Sequence, residues 1–384
     1  MIPSLTLLLG SLSVSSIYTW FRIGSNVSVQ APVVQEPIPD GQFTRRIIAV
    51  GDLHGGLENM KKVLKMAGVI NEADDWSGNV DFFVQTGDII DRGDDTLVMF
   101  ALMDKLREQA LHAGGHVLSH LGNHEFMNAI GDWRYVYPTE IETFGSVEER
   151  QKMLSSGWLG KSWQANYTVT SRLPLHPSLG PPNTDYNPDA LPNPLSHAAY
   201  SFVHGGLSPT YSNLTPYPSA INALGKSLLE KLQDRVQPPP HPPHPYPGLP
   251  SVTTPAEHEL YGTNGPLWYR GWAYEPDSVV CPAVEGVLAR TGVRRLIMGH
   301  TDNLKHMVSR CHGKIIIIDT GITKAYGGVL SALSVTYTLT LHAPSRFAPA
   351  SGPQVWTERE IVKAVYEDKV DILVDSTRKV RGSL

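Results

Sequence analysis

RRIIAVGDLHGGLENMKKVLKMAG, residues 45–68, is the stretch on which the fold turns. Arg45 to Val50 is a short apolar run ended by Gly-Asp, and the residues after Gly56 carry apolar side chains at helical spacing. The segment therefore predicts a strand, a polar turn and a helix. The pattern then repeats. VDFFVQTGD (Val80–Asp88) is a second apolar run ended by Gly-Asp, and Asp94 to Ala113 sets Leu97, Met99, Phe100, Met103 and Leu106 near one helical face. HVLSHLGN (His116–Asn123) is a third strand running into a polar turn. Each strand ends in Gly followed by Asp52, Asp88 or Asn123, and in open α/β sheets ligands collect at the carboxyl ends of strands, so these side chains are expected along one edge.

Outward from this unit, AAYSFVHGG predicts a strand ending in His204 and RRLIMGHT one ending in His300. KIIIIDTG and GGVLSALSVTYTLTLHA add strands with no helix between them, which implies a second, partly antiparallel sheet. Two proline-rich stretches, residues 173–194 and 237–250, read as extended loops. The second contains His241 and His244 and reads as a solvated polyproline insertion rather than a metal or aromatic-groove ligand. The tail from Gln354 fits either a helix or a pair of strands.

Composition narrows the chemistry. The chain has 384 residues, 41% of them hydrophobic, which excludes simple disorder and allows a sizeable core. A formal charge of -5 provides no overall basic field, so nucleic acid is not an expected partner. Two cysteines, Cys281 and Cys311, are too few for a four-cysteine zinc site but enough for one bridge; two buried thiols are the alternative. With 15 histidines, the chain is suited to borderline metals with N/O ligands. Residues 4–21 form an uncharged apolar run, and sequons stand at Asn26, Asn166 and Asn213. These favour a secretory or membrane-anchored chain, attached through residues 4–21, with mitochondrial targeting as the alternative.

The chemical signal lies in GDLHGG (Gly51–Gly56), GDIIDRGDDT (Gly87–Thr96), LGNHEFMN (Leu121–Asn128), VHGG (Val203–Gly206) and MGHT (Met298–Thr301), all at predicted strand ends. Asp52, His54, Asp88, Asn123, His204 and His300 make a mixed N/O ligand set suited to two borderline ions bridged by Asp88. Two ions sharing a water lower its pKa from about 15.7 toward roughly 7, which fits in-line hydrolysis of a phosphomonoester. Arg92 is a permanently charged fork for phosphate. His124 is the candidate proton donor to the leaving oxygen, with Asp91 holding its imidazolium.

These motifs resemble the calcineurin-like metallophosphatases, in particular the phosphoprotein phosphatase branch with its GDxHG, GDxxDRG and GNHE. The FMN after GNHE, PLWYRGW (Pro266–Trp272) and IDTGITKAYGG (Ile318–Gly328) are similar to the Shewanella-like protein phosphatases. The resemblance implies a four-layer α/β/β/α fold around a central β-sandwich of mixed sheets. It implies two metal ions (Mn, Fe or Zn), one on Asp52, His54 and Asp88 and the other on Asp88, Asn123, His204 and His300. It also implies Arg270 as a second phosphate-binding arginine and Tyr326 near the leaving group. Gly131 stands where common serine/threonine phosphatases have an arginine, so their substrate site is not expected; phosphotyrosine is the substrate class the resemblance suggests. The organisation expected is a targeting or anchor segment with linker over 1–40, a catalytic domain over 41–345 and a C-terminal extension over 346–384. The rival functions are a hydrolase of small phosphoesters or dinucleoside polyphosphates, and an inactive scaffold that binds phosphopeptides.

Overall fold

The computed structural model describes residues 41–190, 193–342 and 354–382. The apolar run 4–21 and the Asn26 sequon lie outside the described residues. Among those described, no helix is long and apolar enough to cross a membrane.

Strand β1 (Gln42–Val50) leads through GDLHGG into α1 (Leu57–Met66), which buries Met60, Val63 and Leu64. β2 (Phe82–Gln85), α2 (Thr96–His112) and β3 (His116–His120) complete the repeat expected from the opening stretch. The chain then enters α3 (Asn123–Ile130), α4 (Pro138–Phe144), α5 (Val147–Ser155) and α6 (Trp158–Asn166), a helical block that the periodicity reading did not resolve. β4 (Tyr167–Thr168), β5 (Thr170–Pro174) and β6 (Ala199–Val203) follow, so the first proline-rich stretch begins inside a strand. Next come α7 (Ser219–Asp234), α8 (Pro255–Tyr261), α9 (Gly271–Tyr274) and α10 (Asp277–Thr291). β7 (Arg295–Met298), β8 (Val308–Arg310), β9 (Ile315–Ile317) and β10 (Ser331–Leu341) lead to a tail that is a strand pair, β11 (Val355–Tyr366) and β12 (Val370–Arg381).

Two mixed sheets result. The first runs β12-β11-β10-β1-β2-β3-β4 and the second β5-β6-β7-β9-β8. β1 to β4 are mutually parallel, while β10 joins β1 antiparallel with Val335 opposite Ile47. Alternation along each strand gives every sheet two apolar faces. Ile47, Ala49, Phe82, Val84, Val335 and Tyr337 meet Tyr200, Phe202, Ile297 and Ile316 of the other sheet in one buried cluster. The opposite faces, with Ile48, Val50 and Phe83 on one sheet and Leu296, Met298 and Ile315 on the other, pack with helical residues such as Met60, Phe100, Leu228 and Val284. The layers are therefore helix, sheet, sheet, helix.

Charge also crosses the sandwich. Glu358 and Glu360 point inward from β11, each 1% exposed. Arg295 Nε donates to Glu360 at 2.6 Å, Arg294 donates to Glu358 at 2.9 Å and to Glu360 at 3.1 Å, and the Tyr200 hydroxyl donates to Glu360. The terminal strand pair is thus fastened to β7 of the facing sheet.

The second proline-rich stretch is exposed over residues 242–246, as expected, and docked at its start. Trp133 N donates to His241 O at 2.6 Å, His241 N to Gly131 O at 2.8 Å, and Gln151 Nε2 to Pro238 O at 2.7 Å. A proline-rich segment lacks most N–H donors, so it attaches mainly by offering carbonyls to donors on α3's exit and on α5.

Candidate active site

All five motifs lie at the carboxyl ends of parallel strands: β1, β2 and β3 in one sheet, β6 and β7 in the other. The facing sheet edges bring them together. His204 Nδ1 donates to Thr86 O at 3.0 Å, and His300 N donates to both Asp52 carboxylate oxygens at 3.1 and 3.2 Å. Each contact joins the end of a strand in one sheet to the end of a strand in the other.

The turns themselves are bent into uncommon backbone. His54, Asp88, Asp91, Arg92 and His300 all have positive φ, between +43° and +72°. Each such residue costs on the order of 1–3 kcal/mol, and such strain clusters where side chains must be aimed for function. The glycines are required by contact. A Cβ on Gly93 would lie 2.4 Å from Gly55 O, and one on Gly122 would lie 2.1 Å from Asp88 Oδ1.

Asp88 is the hub. Its Oδ1 accepts from His124 N at 2.9 Å, while Oδ2 lies 3.2 Å from His204 Nε2 and 3.8 Å from both His54 Nε2 and His124 Nε2. Asn123 Oδ1 is 2.7 Å from His204 Nε2. Ligand atoms of His54, Asp88 and His124 lie within 4.8 Å of one another, and so do those of Asp88, His204 and His300. Of the six residues read as ligands, Asp52 and Asn123 are in neither trio; Asp52 stands 3.9 Å from His204 Nδ1 and accepts from His300 N.

These residues fit a cation. His54 Nδ1 faces Ile90 O at 3.0 Å and His204 Nδ1 faces Thr86 O. A carbonyl can only accept, so both rings carry the proton on Nδ1 and turn a lone pair on Nε2 toward Asp88. His300 Nε2 is buried with no hydrogen-bond partner among the described residues. Burial, then the neighbouring His124, push the His54 pKa down to about 3. Burial, then His204 and Arg270, hold His300 well below the usual histidine value. Neutral imidazoles beside a carboxylate and an amide oxygen are the donor set of a borderline divalent ion.

A second group stands beside this cluster. His124 Nδ1 donates to Asp91 Oδ2 at 2.6 Å, leaving Nε2 toward Asp88. Burial opposes the charge on this ring, yet Asp88 and Asp91 raise its pKa above the ordinary value. A buried imidazole so held can carry and release a proton. The Arg92 guanidinium lies between two rings, 4.3 Å from the centroid of Tyr135 and 4.8 Å from that of Tyr326. Arg270 Nη1 donates to His300 O at 2.7 Å, and the Trp268 ring packs edge-on against His300 at 5.5 Å. Cys281 and Cys311 form a disulfide joining α10 to the turn between β8 and β9.

Three contributors were missed by the sequence reading. Glu125 accepts from the backbone N–H of Gly122 (2.7 Å), Asp88 (3.0 Å) and Ile89 (2.8 Å), locking the β2 and β3 turns together. Burial, then Asp88, push its pKa up to about 7. It sits inside GNHE, so the motif was the available signal. Asp319 likewise sits inside IDTGITKAYGG, whereas Tyr135 lies outside the quoted motifs. Asp319 lies against Asp52, and burial pushes its pKa up to about 6.

The family profile described as calcineurin-like phosphoesterase matches residues 45–303. An uncharacterized protein of Schizosaccharomyces pombe is 34% identical over 295 residues, 76% of this chain and 77% of its own length. Shewanella-like protein phosphatase 2 of Arabidopsis thaliana is 28% identical over 323 residues, 77% of this chain and 76% of its own. A crystal structure of a cold-active protein-tyrosine phosphatase from a psychrophilic Shewanella species superposes with a TM-score of 0.60 at 20% identity, covering 91% of this chain and 86% of that one.

Proposed function

Because the chain belongs to the calcineurin-like phosphoesterases and is a metal-dependent phosphatase, we propose that it hydrolyses phosphomonoesters on protein side chains, with phosphotyrosine preferred. The observation that carries this reading is the convergence on Asp88 of His54, His124 and His204, with Asn123 Oδ1 against the same His204 nitrogen. Asp52, His54, Asp88, Asn123, His204 and His300 would hold two ions of the Mn, Fe or Zn kind. Bound there, the ions would supply charge for the phosphoryl oxygens and acidify a water for attack.

The chain's own side chains do the rest. Arg92, steadied between Tyr135 and Tyr326, binds the equatorial oxygens, and Arg270 adds a second positive group at the rim. His124, protonated on both ring nitrogens, gives the Nε2 proton to the departing oxygen, and Asp91 stabilises that imidazolium by accepting from Nδ1. The aromatic rings on either side of Arg92 suit an aryl ester, and a structure of similar fold is named a protein-tyrosine phosphatase. The test is hydrolysis of matched phosphotyrosine and phosphoserine peptides by the full chain with Mn²⁺. Faster turnover of the phosphotyrosine peptide is expected; equal rates would remove the preference, and no turnover of either would remove the protein-phosphatase reading.

For the compartment, we propose passage into the secretory pathway through residues 4–21. A glycosidase-sensitive mobility shift of the expressed chain supports it, and uptake by isolated mitochondria overturns it.

A further inference from the structure

Behind the Asp91–His124 pair lies a buried charged network that holds neither phosphate nor metal. Asn128, one turn beyond His124 on α3, donates through Nδ2 to Asp91 Oδ1 and to His124 O, both at 2.9 Å. Its Oδ1 accepts from Arg150 Nη1 of α5 at 2.7 Å. Arg150 Nη2 donates to Glu140 Oε1 of α4 at 2.9 Å and stands 3.8 Å from Asp91 Oδ1. Thr96 Oγ1 donates to the same Glu140 oxygen at 2.8 Å. The guanidinium stacks 4.4 Å from the Trp133 centroid, and the Trp133 indole N–H donates to Asn128 O at 3.1 Å. Asp91, Glu140 and Arg150 are fully buried and Asn128 is 3% exposed.

A fully buried arginine is rare, and burying its pair with a glutamate costs several kcal/mol per ion, where apolar residues of the same volume fill space at least as well. Space-filling therefore does not explain it. The bonding pattern gives another reason. Arg150 has only donors, so Asn128 must turn its carbonyl to Arg150 and its NH₂ to Asp91. That fixes Asp91 Oδ1, and with one oxygen fixed the other is aimed at His124 Nδ1. We propose that Asn128 and Arg150 are positioning residues for proton donation: through Asp91 they set the direction in which His124 Nε2 points. The inference rests on the phosphatase reading above.

In the step concerned, water oxygen bonds to phosphorus, the bond from phosphorus to the ester oxygen breaks, and that oxygen takes its electron pair and the proton from His124. A misdirected donor hurts only when the leaving oxygen needs the proton. Phenyl phosphate, whose leaving group resembles tyrosine with a pKa of about 10, needs it; 2,4-dinitrophenyl phosphate does not. Asn128→Ala leaves the Arg150–Glu140 pair intact, and the paired change Glu140→Leu with Arg150→Met removes both charges together. Each variant is assayed as the full chain with Mn²⁺, alongside its bound Mn²⁺ and melting temperature. On phenyl phosphate, kcat is expected to fall about tenfold or more, part of the 10²–10⁴ that proton transfer contributes. On the dinitrophenyl ester it is expected to stay within about threefold, with KM and bound Mn²⁺ unchanged. Equal losses on both esters, or no loss on phenyl phosphate, would overturn the proposal. If the paired variant fails to fold, Asn128→Ala decides alone. A wild-type chain that turns over neither ester would overturn the phosphatase reading, and this inference with it.

Discussion

Asp88 and His124 sit one backbone hydrogen bond apart and are expected to fail differently. Replacing Asp88 with Asn removes the carboxylate that Nε2 atoms of three histidines face, so bound metal and activity should vanish together, read by metal analysis and phosphopeptide turnover. His124→Asn should keep its metal and lose about 10²–10⁴ in kcat on a poor leaving group. Activity within a few-fold of wild type would exclude the proton-donor role. Glu360 permits a pH prediction away from the site. Although burial works against ionisation, Arg295 and Arg294 push its pKa down to about 2 from the ordinary 4.5. A depressed carboxylate stabilises the fold above its unfolded pKa, and that stability is lost as pH falls through the folded value. Wild-type stability should therefore decline between about pH 4.5 and pH 2 by on the order of 3 kcal/mol more than Glu360→Gln does, measured by denaturant melts across that range. At this scale the sequence was most legible where a residue ends a strand: Asp52, Asp88, Asn123, His204 and His300 all follow from strand patterns. Glu125, Asn128 and Arg150 act through partners brought near only by folding, and periodicity carries no trace of that.

The exit of α3 shows how an element can exclude a side chain. Gly131 caps the helix with φ +87°, and a Cβ there would lie 3.3 Å from Pro238 and 3.4 Å from Pro247. The docked proline stretch and the glycine require each other. Gly131→Arg should therefore lower stability by about 1–3 kcal/mol and free the stretch, seen as a lower melting temperature with new proteolytic cuts near residues 237–250. An unchanged melt would show that the stretch yields freely. The sequence reading found the unusual glycine and the unusual prolines but had no means to join them. Proline composition reports what a segment cannot donate, whereas docking depends on which donors happen to face it. The helical block between β3 and β4 was missed for a related reason: α4, α5 and α6 are seven to nine residues each, too short for periodicity to stand out from noise.

Across the whole molecule, the last strands belong to the same sheet as the first. β11 and β12 extend the sheet that begins with β1, and β11 supplies Trp356, Val362, Ala364 and Tyr366 to the buried layer between the sheets. Deleting residues 354–384 would expose that layer and strand Arg295 without its buried partner, a loss of about 3–5 kcal/mol for the ion pair alone against a typical total of 5–15. The truncated chain is expected to be insoluble or unfolded by circular dichroism; a folded, metal-binding product would show that the strand pair is dispensable. An α/β chain with a second sheet was readable from β-α-β repetition followed by strands without helices, because that succession has few packings available, whereas the four-layer sandwich was implied by the family resemblance. Which strands closed the sheet was not readable, since the tail's alternating pattern suits any edge.

The inward reach of β11 also has a consequence for how the protein is made. Synthesis proceeds from the N-terminus at about 5–20 residues per second, so Asp52, Asp88 and Asn123 emerge well before His300 and earlier still than β11. Until the final strands are released, β10 lacks its outer neighbour and Arg295 lacks its counter-charge. An ion captured by the early ligands would lack His204 and His300. The six candidate ligands are thus all present only once the chain through His300 has been made.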